Sequence, residues 1–395
     1  MYGVSLHSRF IGSHVVKLLL WCLLASLLGP SPASAQADSS QDALSKAVAL
    51  HQSGHYAEAI TAYQAYLKAH PQASAVRSNL GAALAHEGRF PEAIKEYTEA
   101  LNAEPTNLGI RFNLGLAHYK MGEIANALKE FEAVYAVQSA DDVNRRRLVL
   151  LLSECYLRQG QDDRVVALLG PLSATDENDL TLAYLLGTAL LHQGKDERGA
   201  LMIQRILKNG DTAEAHMLMG YTKLKANDKN GAMQEVARAL ALNPNLPEAY
   251  SLRGRLAYVT ADMDGAEAAF RKALTLDPIA FEPLLWLGTL LREEGKDSEA
   301  RAFLNRATQS RPDEIRVRYQ YALLYSDEGN DQRAAALLQS LIKDAPDFTE
   351  AHRSLSTVYF RLGRAAEGRE EKKIAEALEA AVQAKDLARG KTLQP

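Results

Sequence analysis

Apolar side chains recur at spacings of three and four residues along most of the chain, separated by short polar segments. Residues 76–87 and 91–103 show this spacing clearly, with a Gly-Arg-Phe segment at 88–90 between them. Such spacing is typical of one face of an α-helix, so it predicts two amphipathic helices joined by a tight turn. Pro105 follows the second stretch and cannot continue a helix. The predicted building block is therefore a pair of helices.

This pair returns with a period of about 34 residues. Three markers keep the spacing: prolines after the second helix, glycines within the first helix, and alanines within the second. The prolines are Pro71, Pro105, Pro244, Pro278, Pro312 and Pro346, the glycines are Gly81, Gly115, Gly187, Gly220, Gly254 and Gly288, and the alanines are Ala59, Ala93, Ala127, Ala232, Ala266, Ala300 and Ala334. A fixed period of this length indicates a protein built from stacked repeats.

The small residues have a mechanical reason. We expect Gly81 and Ala93 where the two helices of a pair cross, because a larger side chain there would push the helix axes apart. The clearest copies of the repeat are Ser78-Asn-Leu-Gly-Ala-Ala-Leu with Gly88, Ala93, Tyr97, Ala100 and Pro105, and Leu284-Leu-Trp-Leu-Gly with Gly295, Ala300, Ala307 and Pro312.

With these residues in register, the chain resembles the tetratricopeptide repeat (TPR) family. The resemblance implies an all-α fold, a right-handed α-solenoid of about ten tandem helix-turn-helix repeats over residues 40–382. It also implies that the first helices of the repeats line a concave groove, in which members of the family usually bind extended peptides or helices.

The period is not uniform. Gly122 and Gly160 are 38 residues apart, and Gly170-Pro171 predicts an early helix end, so we interpret residues 138–180 as an irregular joint. The resulting division is a leader (1–35), a linker (36–41), a first TPR block of three repeats (42–137), the joint (138–180), a second TPR block (181–370), and a C-terminal capping helix and tail (371–395).

The N-terminus has the pattern of a secretory signal. Arg9 and Lys17 precede the apolar run 18–28, which has 11 residues, and small residues follow at 33–35. The run is shorter than the roughly 20 residues that a membrane-spanning helix needs. We expect cleavage near Ala35/Gln36, a periplasmic or secreted protein, and no stable membrane insertion afterwards. An uncleaved anchor that begins near residue 11 is the alternative.

Composition narrows the choice of partners. Hydrophobic residues make up 47% of the chain, enough for a packed core, and the net charge is −4. Neither sign of charge dominates, which argues against a nucleic-acid partner. Cys155 is the only cysteine after the leader, and it lies in an apolar stretch where we expect a buried, inert thiol.

No catalytic or metal-binding motif is complete. His51 and His55 flank Gly54 in a turn, so they do not share the helix face that a metal pair needs. The segment that begins at Asp262 resembles a calcium loop, yet Ala273 stands where a bidentate glutamate is required. Repeats occupy nearly all of the chain after the leader. The sequence therefore predicts no metal, no cofactor and no enzymatic activity.

Function is expected on the inner face of the first helices, which is rich in aromatic and basic side chains. The candidate groove residues are Phe112, Tyr119, Lys120, Arg158, Tyr184, Met217, Tyr221, Arg255, Tyr258, Arg292 and Tyr319. Such side chains suit a partly extended polypeptide, since they combine apolar area with hydrogen-bond donors. The alternative for each tyrosine is that its ring only packs between adjacent first helices.

Three functions remain open at this stage. The favoured one is a non-enzymatic scaffold or adaptor of the periplasm or extracellular space, whose groove binds a protein or peptide partner. The second is a scaffold subunit for exopolysaccharide export or assembly. The third is an accessory subunit that stabilises an enzyme.

Overall fold

The computed structural model describes residues 32–139, 142 and 144–392, and the regular elements among them are twenty α-helices. In chain order they are α1 (Pro32–Gln52), α2 (Tyr56–Ala69), α3 (Ser74–His86), α4 (Phe90–Ala103), α5 (Leu108–Met121), α6 (Ile124–Val137), α7 (Arg145–Arg158), α8 (Asp162–Thr175), α9 (Leu180–His192), α10 (Asp196–Lys208), α11 (Ala213–Lys225), α12 (Lys229–Leu242), α13 (Pro247–Val259), α14 (Met263–Leu276), α15 (Phe281–Glu293), α16 (Asp297–Ser310), α17 (Ile315–Asp327), α18 (Asp331–Asp344), α19 (Thr349–Arg361) and α20 (Ala365–Thr392). The predicted all-α solenoid of helix pairs is confirmed.

The chain forms two compact units. Unit 1 ends at Ala117 and contains α1 to α4 with most of α5, and unit 2 begins at His118 and contains α6 to α20. The odd-numbered helices are the first helices of the repeats, and the even-numbered ones are the second helices. Within unit 2 each first helix from α7 to α15 contacts both its own second helix and the first helix of the next repeat. The first helices therefore form a continuous layer.

The turn inside each pair requires a residue with positive φ. Glycine supplies it in most repeats, as at Gly88 and Gly295, where φ is 73° in both. In two consecutive repeats the equivalent residues are Asn227 and Ala261, with φ of 60° and 63°. Glycine adopts this conformation without steric cost, whereas the Cβ of Ala261 is strained there.

Unit 1 has an alanine- and tyrosine-rich core. Ala59 and Ala93 are fully buried, and Tyr63 and Tyr97 lie beside them. A Cβ on Gly81 would lie 2.9 Å from Cε1 of Tyr97, closer than ordinary van der Waals contact. The expected close approach of the helices at Gly81 is therefore confirmed, with the Tyr97 ring filling the space that the glycine leaves.

In unit 2 other side chains pack over the glycines of the first helices in the same way. A Cβ on Gly254 would lie 2.5 Å from Cε1 of the buried Phe270, and a Cβ on Gly288 would lie 2.8 Å from Cδ2 of Leu304. In both repeats a bulky side chain of the second helix lies directly over the glycine of the first. The 34-residue spacing of the glycines thus follows from the packing of each pair.

The pair α7 and α8 keeps the helix-pair form despite its unusual residues. Ser153 stands where other repeats have glycine, and it is buried with its hydroxyl donating to the Val149 carbonyl of its own helix at 2.8 Å. The expected helix end at Gly170-Pro171 is wrong, because α8 continues to Thr175 with Pro171 inside it. Pro171 is exposed, so its ring displaces no core side chain. The joint at 138–180 stays a prediction.

At the C-terminal end, α19 and α20 form the last pair. Ser356 replaces the usual glycine, and its buried hydroxyl donates to the carbonyl of Gly368 at 2.7 Å. Gly368 replaces the usual alanine and leaves room for this contact, since a Cβ there would lie 3.1 Å from the Ser356 carbonyl. In this pair the glycine therefore lies on the second helix, whereas in most of the other repeats it lies on the first.

The predicted leader lies outside the described residues, except for positions 32–35, which belong to α1. Residues 36–41, expected as a linker, also lie within α1. In the part of the chain that the structure describes, no helix combines the length and the apolar character needed to cross a bilayer.

Candidate ligand cavity

The first helices of unit 2 surround a cavity of about 960 Å³. Side chains from α7, α9, α11, α13, α15 and α17 line it, together with residues of the loops that lead into these helices. We call it the unit 2 cavity. Its apolar wall includes Leu185, Met217 and Leu252, all buried, and the rest of its lining combines further apolar side chains with polar and charged ones.

The cavity is closed on one side because the end of α7 contacts the C-terminal ends of α14 and α16, far along the chain. Arg158 Nη1 donates to Asp277 Oδ2 at 2.9 Å, and Gln159 Nε2 donates to the Ser310 carbonyl at 3.0 Å. Arg311 donates in return to the carbonyls of Arg158 and Leu157, at 2.7 and 3.0 Å. These are carbonyls of the last turn of α7, which lack partners within the helix. Unit 2 therefore curls until its early and late repeats meet.

One side of the cavity carries arginines grouped around a carboxylate. We call Arg255, Arg311 and Arg316 the cationic side. Arg316 Nη2 lies 2.7 Å from Glu282 Oε1, and Trp286 Nε1 donates to Glu282 Oε2 at 3.1 Å. Burial alone would raise the pKa of Glu282, but the ion pair with Arg316 and the fields of the other two arginines lower it to about 2. The carboxylate is thus firmly ionised.

The opposite charge prevails around Tyr184. We call Glu154, Glu214 and Glu248 the acidic side. Burial raises the pKa of Glu248. The nearby carboxylates of Asp277 and Glu154 raise it further, whereas the positive charge of Arg158 lowers it. The Tyr184 phenol has its pKa raised by burial and then by the three carboxylates of the acidic side. This side therefore carries negative charge that is only partly compensated.

Sequence comparisons agree with this architecture. Two profiles described as tetratricopeptide repeat match the chain, one at residues 44–107, 217–283 and 319–384, the other at 84–143 and 261–324. The chain belongs to the tetratricopeptide repeat family. No curated protein sequence matches the chain significantly. The TPR profiles leave residues 144–216 unmatched, although the structure shows TPR-like helix pairs there.

The chain was also compared with solved structures, and three of the matches are as follows. The hetero-tetramer Cut9–Hcn1 of the APC/C matches with a TM-score of 0.53 at 14% identity, covering 86% of this chain and 81% of that one. Yeast Tom70 matches with a TM-score of 0.36 at 16% identity, covering 91% and 96%. MamA of Desulfovibrio magneticus RS-1 matches with a TM-score of 0.37 at 20% identity, covering 44% and 97%. The match to Cut9–Hcn1 supports the TPR fold alone.

Five of the predicted groove residues line the unit 2 cavity. They are Arg158, Tyr184, Met217, Tyr221 and Arg255. Tyr221 also contacts its neighbours, because its ring lies 5.7 Å from that of His192 and the Arg255 guanidinium lies 5.7 Å from the Tyr221 ring centroid. The sequence therefore placed these five side chains on a common surface, and their role in binding stays a prediction.

Four other predicted groove residues instead join one TPR first helix to the next. Tyr119 donates to Glu154, Tyr258 to Glu293 at 2.8 Å, and Arg292 Nη1 to Asp327 at 2.7 Å, while the Tyr319 and Ser354 hydroxyls are 2.9 Å apart. Each partner lies 35 residues further along the chain. None of the four lines the cavity. For these tyrosines the structure shows inter-repeat packing, which was the alternative interpretation.

The same 35-residue offset explains why Tyr184 and Tyr221 form no such hydrogen bond to the next first helix. The residues 35 positions after them are Met219, whose thioether is only a weak acceptor, and Leu256, which has no acceptor in its side chain. The two remaining predicted residues lie elsewhere: Phe112 is half-buried on α5 in unit 1, and Lys120 is exposed, with its ammonium 5.9 Å from the Tyr119 ring centroid.

Sequence reasoning missed three acidic residues of the cavity. Glu214, Glu248 and Glu282 each occupy the second position of a first helix and follow one another at 34-residue steps. That regularity was a usable signal, but glutamate near a helix N-terminus is also favoured by the helix dipole and was therefore not distinctive. Arg311 had no signal at all, because it lies in a loop between repeats.

The described residues contain no cluster of metal-ligating side chains. Cys155 is a free and buried thiol, as expected, and burial raises its pKa to about 12. A thiol in this state is neither a metal ligand nor a nucleophile at neutral pH.

Proposed function

We propose that this protein is a non-enzymatic TPR scaffold whose unit 2 binds a segment of a partner polypeptide inside the unit 2 cavity. The observation that carries the proposal is the cavity itself, which six consecutive first helices line with apolar, tyrosine and charged side chains. TPR proteins generally bind protein partners, and a concave surface of this composition can make both apolar contacts and hydrogen bonds to a peptide.

The size of the cavity limits what can enter it. Ligand-binding pockets typically have volumes of roughly 300–1,000 Å³, and the unit 2 cavity of about 960 Å³ lies near the upper end of that range. This volume suits a few residues of an extended chain or one end of a helix, and it is too small for a folded domain. The bound element is thus a segment of the partner.

The charged groups of the cavity support binding in preference to catalysis. Most of its arginines and several of its carboxylates form ion pairs with each other, as Arg158 does with Asp277 and Arg316 with Glu282. Acid–base and nucleophilic catalysis need a proton donor or nucleophile next to a base, in reach of the substrate. Static ion pairs serve instead to fix the positions of the side chains.

We further propose that the protein acts after export from the cytoplasm. The support is the sequence at the N-terminus, where Arg9 and Lys17 precede an apolar run and Ala33-Ser34-Ala35 offers a cleavage site. The partner would then be a periplasmic or extracellular polypeptide.

The test uses residues 36–395 and two tryptophan variants. Peptides that bind are first selected from a random displayed library. Thr181 lines the cavity and is exposed, so Thr181→Trp should fill part of the cavity without disturbing the core. Gln234 is exposed on α12 and does not line the cavity, so Gln234→Trp is the matched control.

We expect Thr181→Trp to weaken binding of the selected peptides by roughly tenfold or more, because steric exclusion removes interface contacts, and Gln234→Trp to leave it unchanged. Equal affinities for both variants would contradict the proposal. Cavity-dependent binding of a glycan, with no peptide selected, would support the exopolysaccharide scaffold instead.

A further inference from the structure

The unit 2 cavity has an excess of negative charge. Seven acidic side chains line it, against four arginines and one histidine. The acidic residues are Glu154, Asp162, Glu214, Glu248, Asp277, Glu282 and Glu314. Charges that face a common cavity with low-dielectric walls interact more strongly than charges on an open surface. The cavity as a whole therefore favours a cationic ligand.

Most of the acidic side chains already have a cationic partner. Arg158 pairs with Asp277 at 2.9 Å and with Glu154 at 3.5 Å. Arg316 pairs with Glu282 at 2.7 Å and with Glu314 at 3.2 Å. The remaining pair joins Asp162 to His192 at 3.1 Å.

Glu214 and Glu248 are different. Neither forms an ion pair or a side-chain hydrogen bond with another residue in the described ranges, and both line the cavity. The Tyr184 hydroxyl, which the same two carboxylates influence, also has no hydrogen-bond partner among the described residues. All three side chains remain accessible from the cavity, so a ligand bound there can contact them.

We propose that Glu214 and Glu248, together with the Tyr184 hydroxyl, receive the side chain of a lysine or arginine of the bound polypeptide. This inference rests on the proposed function and adds the chemistry of the segment that is recognised. An ammonium or guanidinium group carries several donors and no acceptor, so it can satisfy two carboxylates and a phenol oxygen at once. Apolar side chains beside them, such as Met217, can contact the aliphatic stem.

The acidic side keeps its affinity for a cation because no arginine of the protein neutralises it fully. Arg158 lowers the pKa of Glu248, but burial and the neighbouring carboxylates outweigh that effect. A bound cation would return the pKa of Glu248 towards its ordinary range. Binding of the basic segment should therefore favour the ionised form of Glu248.

The experiment is a double-mutant cycle between protein and peptide. The peptides selected from the random library are aligned, and each lysine in the consensus is replaced by norleucine, which keeps the stem and removes the charge. The protein variants are Glu214→Gln and Glu248→Gln, with Glu197→Gln as the control, since Glu197 is exposed on α10 outside the cavity. Affinities are measured by calorimetry, and thermal unfolding shows that each variant is folded.

We expect a lysine or arginine at one fixed position of the consensus. Its replacement by norleucine should weaken the affinity for the unaltered protein by roughly tenfold or more. The same replacement should weaken the affinity for Glu248→Gln much less, because that variant has already lost the charge-assisted hydrogen bond. Glu197→Gln should behave like the unaltered protein.

The outcomes separate this inference from the proposed function. Peptides that bind in the cavity without a basic residue, or whose lysine shows no coupling to Glu214 or Glu248, would overturn the inference and leave the peptide-binding function intact. Binding that Thr181→Trp does not weaken would overturn the proposed function, and the inference with it.

Discussion

The substitution Gly254→Ala tests the packing on which every repeat depends. The added Cβ would lie 2.5 Å from Cε1 and 2.6 Å from Cδ1 of Phe270. Since carbon atoms pack at about 3.5–4.0 Å, the ring or the helix must retreat by about 1 Å. Phe270 is fully buried, in a core that also contains Leu274 and Leu284, so no empty space receives it.

The expected cost of this overpacking is about 1–3 kcal/mol. Alanine also favours the helix over glycine by about 1 kcal/mol, which would mask part of the loss. Gly220→Ala is therefore the matched control, because Gly220 occupies the same position in the preceding repeat. A Cβ there would lie 3.2 Å from Leu252 Cδ2, so its neighbours need to move only slightly. The helix preference cancels between the two variants.

The assay is hydrogen exchange followed by mass spectrometry, read on α13 and α14 for Gly254→Ala and on α11 and α12 for Gly220→Ala, each relative to the unaltered protein. A solenoid opens locally, so amide protection near the substitution reports the free energy of opening better than a global melting curve does. A difference of about 1–3 kcal/mol corresponds to exchange roughly 5- to 150-fold faster in Gly254→Ala than in Gly220→Ala. Equal protection in the two variants would refute the reasoning that the Gly254–Phe270 contact sets the helix spacing.

Three further predictions concern strain, charge and export. Ala261→Gly should raise the free energy of unfolding by about 1 kcal/mol, because the positive φ of 63° no longer strains a Cβ; Gly295→Ala should do the reverse, and urea unfolding measures both. The raised pKa of Glu248 means that its contribution to stability is fully present below its pKa in the unfolded chain and is lost as pH rises through its folded pKa. Glu248→Gln should therefore raise the melting temperature at pH 7 and make less difference towards pH 4, and a gain independent of pH would contradict the assignment. Protein purified from its native host should begin within two residues of Gln36 by intact mass, whereas full-length chain in the cytoplasm would refute export.

The repeat architecture could be predicted because its causes are local. Each marker residue acts within a single helix pair: the glycine under Phe270, the alanine of the second helix and the proline after it. Their spacing in the sequence is therefore enough to predict the fold. The error at Pro171 also has a local origin, since a proline can stay in the exposed last turns of a helix when tertiary packing holds the chain there.

The cavity could be predicted only in part. The inward position of Tyr184 and Tyr221 follows from helix periodicity, but the bonds of Tyr258 and Tyr319 depend on which residue stands 35 positions later. The closure between Arg311 and the end of α7 joins residues 153 and 154 positions apart. It results from the summed curvature of several repeats, which no single repeat encodes.

The central claim is that a polypeptide segment enters the unit 2 cavity, and site-specific photo-cross-linking tests it most directly. A photoreactive phenylalanine derivative is placed at Tyr184, inside the cavity, or at Gln234, on the exposed face of α12. Each protein is irradiated with a peptide selected for binding, and the cross-linked sites are mapped by mass spectrometry. The account predicts efficient cross-links between the peptide and position 184, and none at position 234. Cross-links at position 234 alone would show that the partner binds the outer face and would contradict the account.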